Sequence, residues 1–292
     1  MSEATSSSSS VLDSNPSFHR WLNACSSIFP SQDTLPFKRR RRTITSPFPN
    51  ARIYSANEHF NKDEEQEEWK SGPETDEERK WRERAEAWAV QLAETSPMIR
   101  FLSRHLAMVS CNPYDKPDPS SPLAPDPEDP NRLPESPLGR IVFAACPPNR
   151  VGGFRPMDPP SESGILICSN RIARKADLER AMAHEMIHWW DTCRFRLNWN
   201  NLRHNACSEI RAAALSGDCK VMTEFGRISH GLRPGFLKQH QACTRRRAIT
   251  SVVDAVALEH LEPDARLAAA ERAVDEVWEA CWNDTRPFDD IY

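Results

Sequence analysis

The sequence predicts an α+β fold that is mostly helical and contains a small β-sheet. Two short apolar runs, residues 139–146 and 163–170, have the length and the residue types of β-strands. Longer segments before and after them carry apolar residues at helical spacing. One of these segments holds two histidines four positions apart. We expect the helix that bears them to pack on a sheet built partly from residues 139–145 and 164–168.

The chain is expected to divide into a disordered N-terminal tail, residues 1–75, and one folded domain, residues 76–292. The mean hydropathy of −0.66 is low for a chain that folds throughout its length. The tail contains a serine run and a basic run at 38–42. Residues 112–160 hold 14 of the 24 prolines. Residues 113–137 are therefore interpreted as an exposed insertion without a core of its own.

Two helices are predicted at the start of the domain. The first begins near Asp76, and its apolar stripe has spacings of three and four residues: Trp81, Ala85, Trp88 and Leu92. The second begins at Pro97, because proline suits the first turn of a helix, and ends before Cys111.

Four further helices are expected after the strand candidates. They cover about residues 177–195, 201–216, 239–260 and 264–283. Asp177 is predicted to cap the first of these helices, and Gly217 is predicted to end the second. Pro263 separates the last two. Residues 149–156, between the strand candidates, are interpreted as a turn.

Eight of the nine cysteines lie between Cys111 and Cys281, inside the folded domain. No two of them have the C-x-x-C spacing that is typical of a structural zinc site. An even number of cysteines in one domain favours disulfide bonds, which persist in an oxidising compartment. We therefore expect most of these eight cysteines to be oxidised, although their spacing does not assign the pairs.

The charge and the hydropathy of the chain exclude two classes of protein. The net charge of −4 argues against a nucleic-acid-binding protein, so no nucleic-acid partner is expected. No apolar run approaches the roughly 18 residues that cross a bilayer, so any membrane association is expected to be peripheral.

The segment "HEMIH", residues 184–188, predicts a metal site. Residues four apart lie on one face of a helix, so His184 and His188 can both bind one ion. Either histidine alone would more simply be a surface or core residue, but apolar flanks indicate a buried helix, where unpaired imidazoles are costly. In zinc hydrolases a carboxylate at the position of Glu185 takes a proton from the attacking water. The sequence thus predicts one Zn²⁺ ion with Glu185 as the catalytic residue.

The third metal ligand has three candidates. Glu209 is favoured, because the glutamate ligand of such sites comes from a following helix. His204 lies one turn earlier and would give an all-histidine site. Asp191 lies on the same stripe as both histidines, and it would either bind the metal or orient an imidazole. Helical periodicity does not decide among them.

Beyond this motif, several segments match one known family in order. They are "GGF" at 152–154, "ILICSN" at 165–170, "AHEMIHWWDTCRF" at 183–195, "NWNNLRHNACSEIRAAALSGDC" at 198–219, "HQACTRRRAITSV" at 240–252 and "VWEACWNDTRPFD" at 277–289. With them the chain resembles the mitochondrial inner membrane metalloproteases that process and assemble the ATP synthase. The resemblance covers most of residues 80–292.

This resemblance implies a zincin-like metalloprotease domain in which His184 and His188 bind the metal and Glu185 is catalytic. It implies a peripheral protein on the intermembrane-space side of the mitochondrial inner membrane, oxidised there by the disulfide relay. The implied partners are the ATP synthase subunit a precursor, which it would process, and other intermembrane-space or inner-membrane proteins. The implied second role is to assist assembly of the membrane sector.

Two other functions remain as hypotheses. One is an assembly chaperone with secondary protease activity. The other is a nuclear metalloprotease associated with DNA repair, which only the basic run at 38–42 suggests. For the protease, we expect an edge strand to bind the substrate in extended form by strand addition, with "GILIC" at 164–168 as the candidate strand.

Overall fold

The computed structural model describes residues 74–121, 123–124, 135–146, 151–195, 197–219 and 236–289. The predicted tail, apart from its last two residues, therefore lies outside the described residues, and so does the whole basic run at 38–42. The helices are α1 (Asp76–Thr95), α2 (Pro97–Met108), α3 (Lys175–Arg194), α4 (Leu202–Leu215), α5 (Phe236–Val253) and α6 (Pro263–Trp282). The strands are β1 (Ile141–Ala144), β2 (Gly152–Arg155) and β3 (Gly164–Cys168). This is the expected α+β fold.

The three strands form one sheet in the order β1-β3-β2. Strand β1 runs parallel to β3, with Ile141 opposite Ile165. Strand β2 runs antiparallel to β3, with Gly153 opposite Leu166. Residues 149–156 were interpreted as a turn, and this is wrong for residues 152–155. Two glycines lower the local strand propensity, but pairing with β3 outweighs it.

The position of β3 contradicts its predicted role as an edge strand. It lies between β1 and β2 and its backbone is paired on both sides, so it offers no free edge to an extended peptide. Its side chains are buried instead, with Ile165 and Ile167 fully covered. The free edge of the described sheet next to the histidine helix belongs to β2, which the sequence did not indicate as a strand.

The helix ends follow local capping chemistry. Thr75 and Glu78 form a capping box at the start of α1, in which each side chain bonds the backbone of the other. Ser96 caps α2 and is followed by Pro97, as expected. The predicted N-cap Asp177 is wrong: α3 begins two residues earlier, and Asp177 instead accepts hydrogen bonds from the Arg174 side chain. Gly217 follows the end of α4 with a φ of 87°.

The histidine helix α3 lies at the centre of the domain. It packs on strands β2 and β3, on α1 and α2, and on α4. Trp189 and Trp190 are both fully buried there, together with Met186 and Ile187. Replacing a buried tryptophan by alanine typically costs about 3–5 kcal/mol, so this helix is held firmly in place. Helix α4 packs in turn on α5 and α6.

The described part of the proline-rich insertion is attached to the domain. Leu123 is 7% exposed, and its side chain occupies the space beside Gly164. The Tyr114 hydroxyl hydrogen-bonds the hydroxyl of Ser103 on α2. The Arg140 guanidinium donates to the carbonyl of Lys116. The expectation of an exposed insertion is therefore wrong for Pro113, Leu123 and Ala124, which are buried, whereas Asp115, Lys116 and residues 118–120 are exposed as expected.

All eight cysteines between positions 111 and 281 form disulfides, which confirms the prediction of an oxidised domain. The pairs are Cys111–Cys193, Cys146–Cys168, Cys207–Cys281 and Cys219–Cys243. Each joins two different elements or an element to a loop. Such a bridge stabilises a fold by about 2–4 kcal/mol. Among the described residues, no helix is both long enough and apolar enough to cross a membrane.

Candidate metal centre

Helices α3 and α4 bring three possible metal ligands together. The Nε2 atoms of His184 and His188 each lie 3.6 Å from a carboxylate oxygen of Glu209. One ligand atom from each of the three residues lies within 4.8 Å of the others. Zinc bonds of about 2.0–2.1 Å need ligand atoms about 3.3 Å apart in a tetrahedron. The three side chains are therefore close to the separation that one ion requires.

The donor set also fits a cation chemically. The Oε2 atom of Glu209 is buried and accepts no hydrogen bond from the described residues. A buried carboxylate oxygen without a donor is costly, and a bound cation would remove that cost. Two imidazoles and one carboxylate form an open site for a divalent ion such as zinc.

The other two candidates for the third ligand lie elsewhere. The Nδ1 atom of His204 accepts a hydrogen bond from the backbone of Asn198, at the start of α4. Asp191 is 2% exposed and pairs with Arg211, with an N–O distance of 2.9 Å. Its carboxylate is therefore engaged by a cation from α4. Of the three predicted candidates, only Glu209 faces both histidines.

Glu185 lies in the pocket that these ligands line. The pocket has a volume of about 190 Å³ and is lined by Gly152, Gly153, Phe154, His184, Glu185, His188, Trp199, Glu209 and Ser251. Burial raises the pKa of Glu185 to about 7, although the charge on His184 opposes this. A carboxylate with a pKa near 7 is well matched to accept and return a proton at neutral pH.

The two histidines have opposite electrostatic environments. Burial disfavours a charge on His184, but Asp218 and Glu209 outweigh it and raise the pKa of His184 to about 10. Asp218 lies 3.2 Å from the Nδ1 atom of His184 and also accepts a hydrogen bond from Arg247. At His188 burial dominates and lowers the pKa to about 4. Metals bind the neutral imidazole, so an ion at this site would find His188 neutral and would displace the proton of His184.

Five residues of the pocket were not predicted as site residues: Gly152, Gly153, Phe154, Trp199 and Ser251. The Trp199 ring packs edge-on against His188, with ring centres 5.7 Å apart, and it also packs against Phe154 at 5.7 Å. Neither aromatic residue belongs to a periodic pattern, so no spacing signal identifies them. Residues 152–154 were marked only by their resemblance to the family.

The fold and this site define a zincin-like α+β protein, with an H-E-x-x-H helix beside a small sheet and a glutamate on the next helix. The family model described as "Peptidase M76 family" matches residues 83–289, which is most of the chain. The chain therefore belongs to this peptidase family, and it is a peptidase.

Curated relatives agree with this assignment. The chain is 46% identical over 222 residues to the mitochondrial inner membrane protease ATP23 of Mycosarcoma maydis, covering 75% of this chain and 96% of that protein. It is 45% identical to the protein of the same name from Malassezia globosa, over 72% of this chain and 77% of that one. It is 47% identical to the protein of the same name from Kluyveromyces lactis, over 52% of this chain and 58% of that one. No solved structure matches the chain. These relatives place it among the proteases of the mitochondrial inner membrane.

Proposed function

We propose that this chain is a zinc-dependent endopeptidase of the mitochondrial inner membrane. The observation that carries the proposal is the approach of His184, His188 and Glu209 within 4.8 Å, with Glu185 in the same pocket. This is the arrangement that an H-E-x-x-H hydrolase requires.

Each group has a role in peptide hydrolysis. His184, His188 and Glu209 would hold the ion, which when bound supplies Lewis-acid activation of water and of the scissile carbonyl. Glu185 accepts a proton from the attacking water and donates it to the leaving amine. The aromatic rings of Phe154 and Trp199 form an apolar wall that limits the access of bulk water.

Strand β2 is the proposed docking edge for the substrate backbone. It pairs with β3 on one side and borders the pocket through Gly152, Gly153 and Phe154. A Cβ atom added to Gly153 would meet no described atom within 4 Å, so the face of the strand is open at this residue. An extended peptide can add to such an edge through main-chain hydrogen bonds.

The proposed substrate is the ATP synthase subunit a precursor, together with other intermembrane-space or inner-membrane proteins. This part follows the family resemblance, as do peripheral attachment on the intermembrane-space side and a role in assembly of the membrane sector. The four disulfides support an oxidising compartment. They argue against the nuclear protease, since nuclear proteins rarely keep disulfides.

The test uses the purified full chain, zinc and the subunit a precursor as substrate. Glu185→Gln should bind zinc with the stoichiometry of the unchanged protein but lose cleavage by at least about 100-fold, because the proton acceptor is lost. Arg203→Gln serves as the control, since it changes a partly exposed ion pair with Glu276 outside the pocket. Cleavage by Glu185→Gln at the normal rate would refute the role of Glu185 as proton acceptor, whereas absence of cleavage by the unchanged, zinc-loaded chain would favour the assembly chaperone.

A further inference from the structure

The ring of His188 is held from both sides by consecutive residues of α4. The Ser208 hydroxyl lies 2.8 Å from Nδ1 of His188, and Glu209 lies 3.6 Å from Nε2. Ser208 is 1% exposed. The side of the ring that faces away from the pocket is therefore in contact with a single buried hydroxyl.

The second partner of that hydroxyl fixes the direction of its hydrogen bonds. Ser208 donates to a carboxylate oxygen of Asp191 at 2.9 Å. A serine hydroxyl has one hydrogen, so once it donates to Asp191 it can only accept from His188. The proton of the neutral imidazole then lies on Nδ1, and the lone pair of Nε2 points to Glu209.

Asp191 is held as the acceptor by Arg211. The Arg211 guanidinium donates to both carboxylate oxygens of Asp191, at 3.0 and 3.2 Å. Arginine stays charged in proteins, so it favours the ionised carboxylate. Arg211 is 1% exposed and also donates to the carbonyls of Asp284 and Arg286. All members of this buried chain are thus satisfied and rigidly placed.

We propose that Ser208 is a positioning residue of the metal site: it transmits the hold of the Asp191–Arg211 pair to His188 and fixes the imidazole with Nε2 free for the ion. The proposal rests on the zinc site of the proposed function. The sequence left Asp191 either as a metal ligand or as a group that orients an imidazole. In this proposal Asp191 orients the imidazole of His188, and it does so through Ser208. Outer partners of metal-binding histidines typically change metal affinity by about 10–100-fold.

The first test measures zinc affinity of the full chain by competition with a chromophoric chelator. Ser208→Ala should weaken zinc binding by about 10–100-fold. The variant is expected to fold, because alanine is the best helix former. Ser103→Ala is the matched control: Ser103 is also buried, and its hydroxyl bonds Ile99 and Tyr114. The control should keep the affinity of the unchanged protein.

The second test measures the protonation site of His188 directly. Nitrogen-15 NMR of the metal-free chain should show His188 protonated on Nδ1, and Ser208→Ala should lose that preference. Normal zinc affinity in Ser208→Ala, an equal loss in Ser103→Ala, or protonation of His188 on Nε2 would each overturn the proposal. Neither readout involves peptide cleavage, so the failure of Ser208 as a positioning residue is distinguishable from failure of the proposed protease activity.

Discussion

The carboxylate of Glu185 faces the bare backbone of Gly152. A Cβ atom built on Gly152 would lie 3.4 Å from Oε1 of Glu185 and 3.0 Å from the carbonyl oxygen of Leu166. Because Gly152 has no side chain, the carboxylate of Glu185 has room to lie in the pocket beside β2. Gly152 is needed here for space, because its strand conformation suits any residue.

Gly152→Ala should lower kcat by about tenfold without loss of zinc. The added methyl group would press on Glu185, and small displacements of a catalytic group have large effects on rate. Gly153→Ala provides the comparison, since its Cβ would point to the opposite face of the sheet and meet none of the described atoms within 4 Å. That variant should change KM more than kcat. Steady-state kinetics on a peptide substrate would separate the two, and an unchanged kcat in Gly152→Ala would contradict the crowding argument.

Glu209→Gln should lose zinc, whereas His204→Gln should retain it. Glu209 contributes the carboxylate that lies 3.6 Å from both imidazoles, and an amide is a much weaker ligand. The expected loss of zinc affinity exceeds about 100-fold, because mutating even a residue that only hydrogen-bonds a ligand typically lowers metal affinity by about 10–100-fold. Metal analysis after dialysis against a chelator measures this. Loss of zinc in His204→Gln alone would reassign the third ligand.

Asp284→Asn should reduce stability in a pH-dependent way. Burial opposes the charge of Asp284, but its hydrogen bond from Arg286 and the charge of Arg211 prevail and lower its pKa. A carboxylate with a depressed pKa stabilises the fold above its unfolded pKa of about 3.9 and loses that contribution as pH falls through the folded pKa. The substitution should therefore cost about 1–3 kcal/mol at pH 7 and much less near pH 3.

Denaturant unfolding at both pH values measures this difference. Asp275→Asn is the control, because its pair with Arg245 is exposed and such pairs contribute only about 0–1 kcal/mol. A cost for Asp284→Asn that stays constant with pH would show that lost packing, and not the charge, is responsible.

Replacing Cys207 and Cys281 together by serine should destabilise the domain by about 2–4 kcal/mol. This bridge spans 74 positions, against 22 for Cys146–Cys168, so its removal should cost more than the corresponding change at the shorter bridge. Denaturant unfolding compares the two double variants, and non-reducing mass mapping verifies the remaining pairs. Equal or reversed losses would mean that loop length does not govern the effect.

The helices and the paired histidines were predictable because their signals are local. The start of α2 at Pro97 and the four-residue spacing of His184 and His188 are read directly along the chain. Strand β2 was missed, since its glycines carry no strand propensity and its pairing with β3 depends on residues distant in sequence. Asp191 lies on the same helical stripe as the histidines, but its ion pair with Arg211 of another helix determines its role. Such long-range pairing leaves no trace in periodicity.

Arg211 lies two residues after Glu209, but the two carbonyls that it binds belong to Asp284 and Arg286. The segment that completes the support of the buried arginine therefore lies about 75 positions further along the chain. Without that segment, Arg211 lacks two of its hydrogen-bond acceptors, and Asp191 loses part of its enclosure. The complete hydrogen-bond chain behind His188 therefore exists only in a molecule that has folded through residue 286.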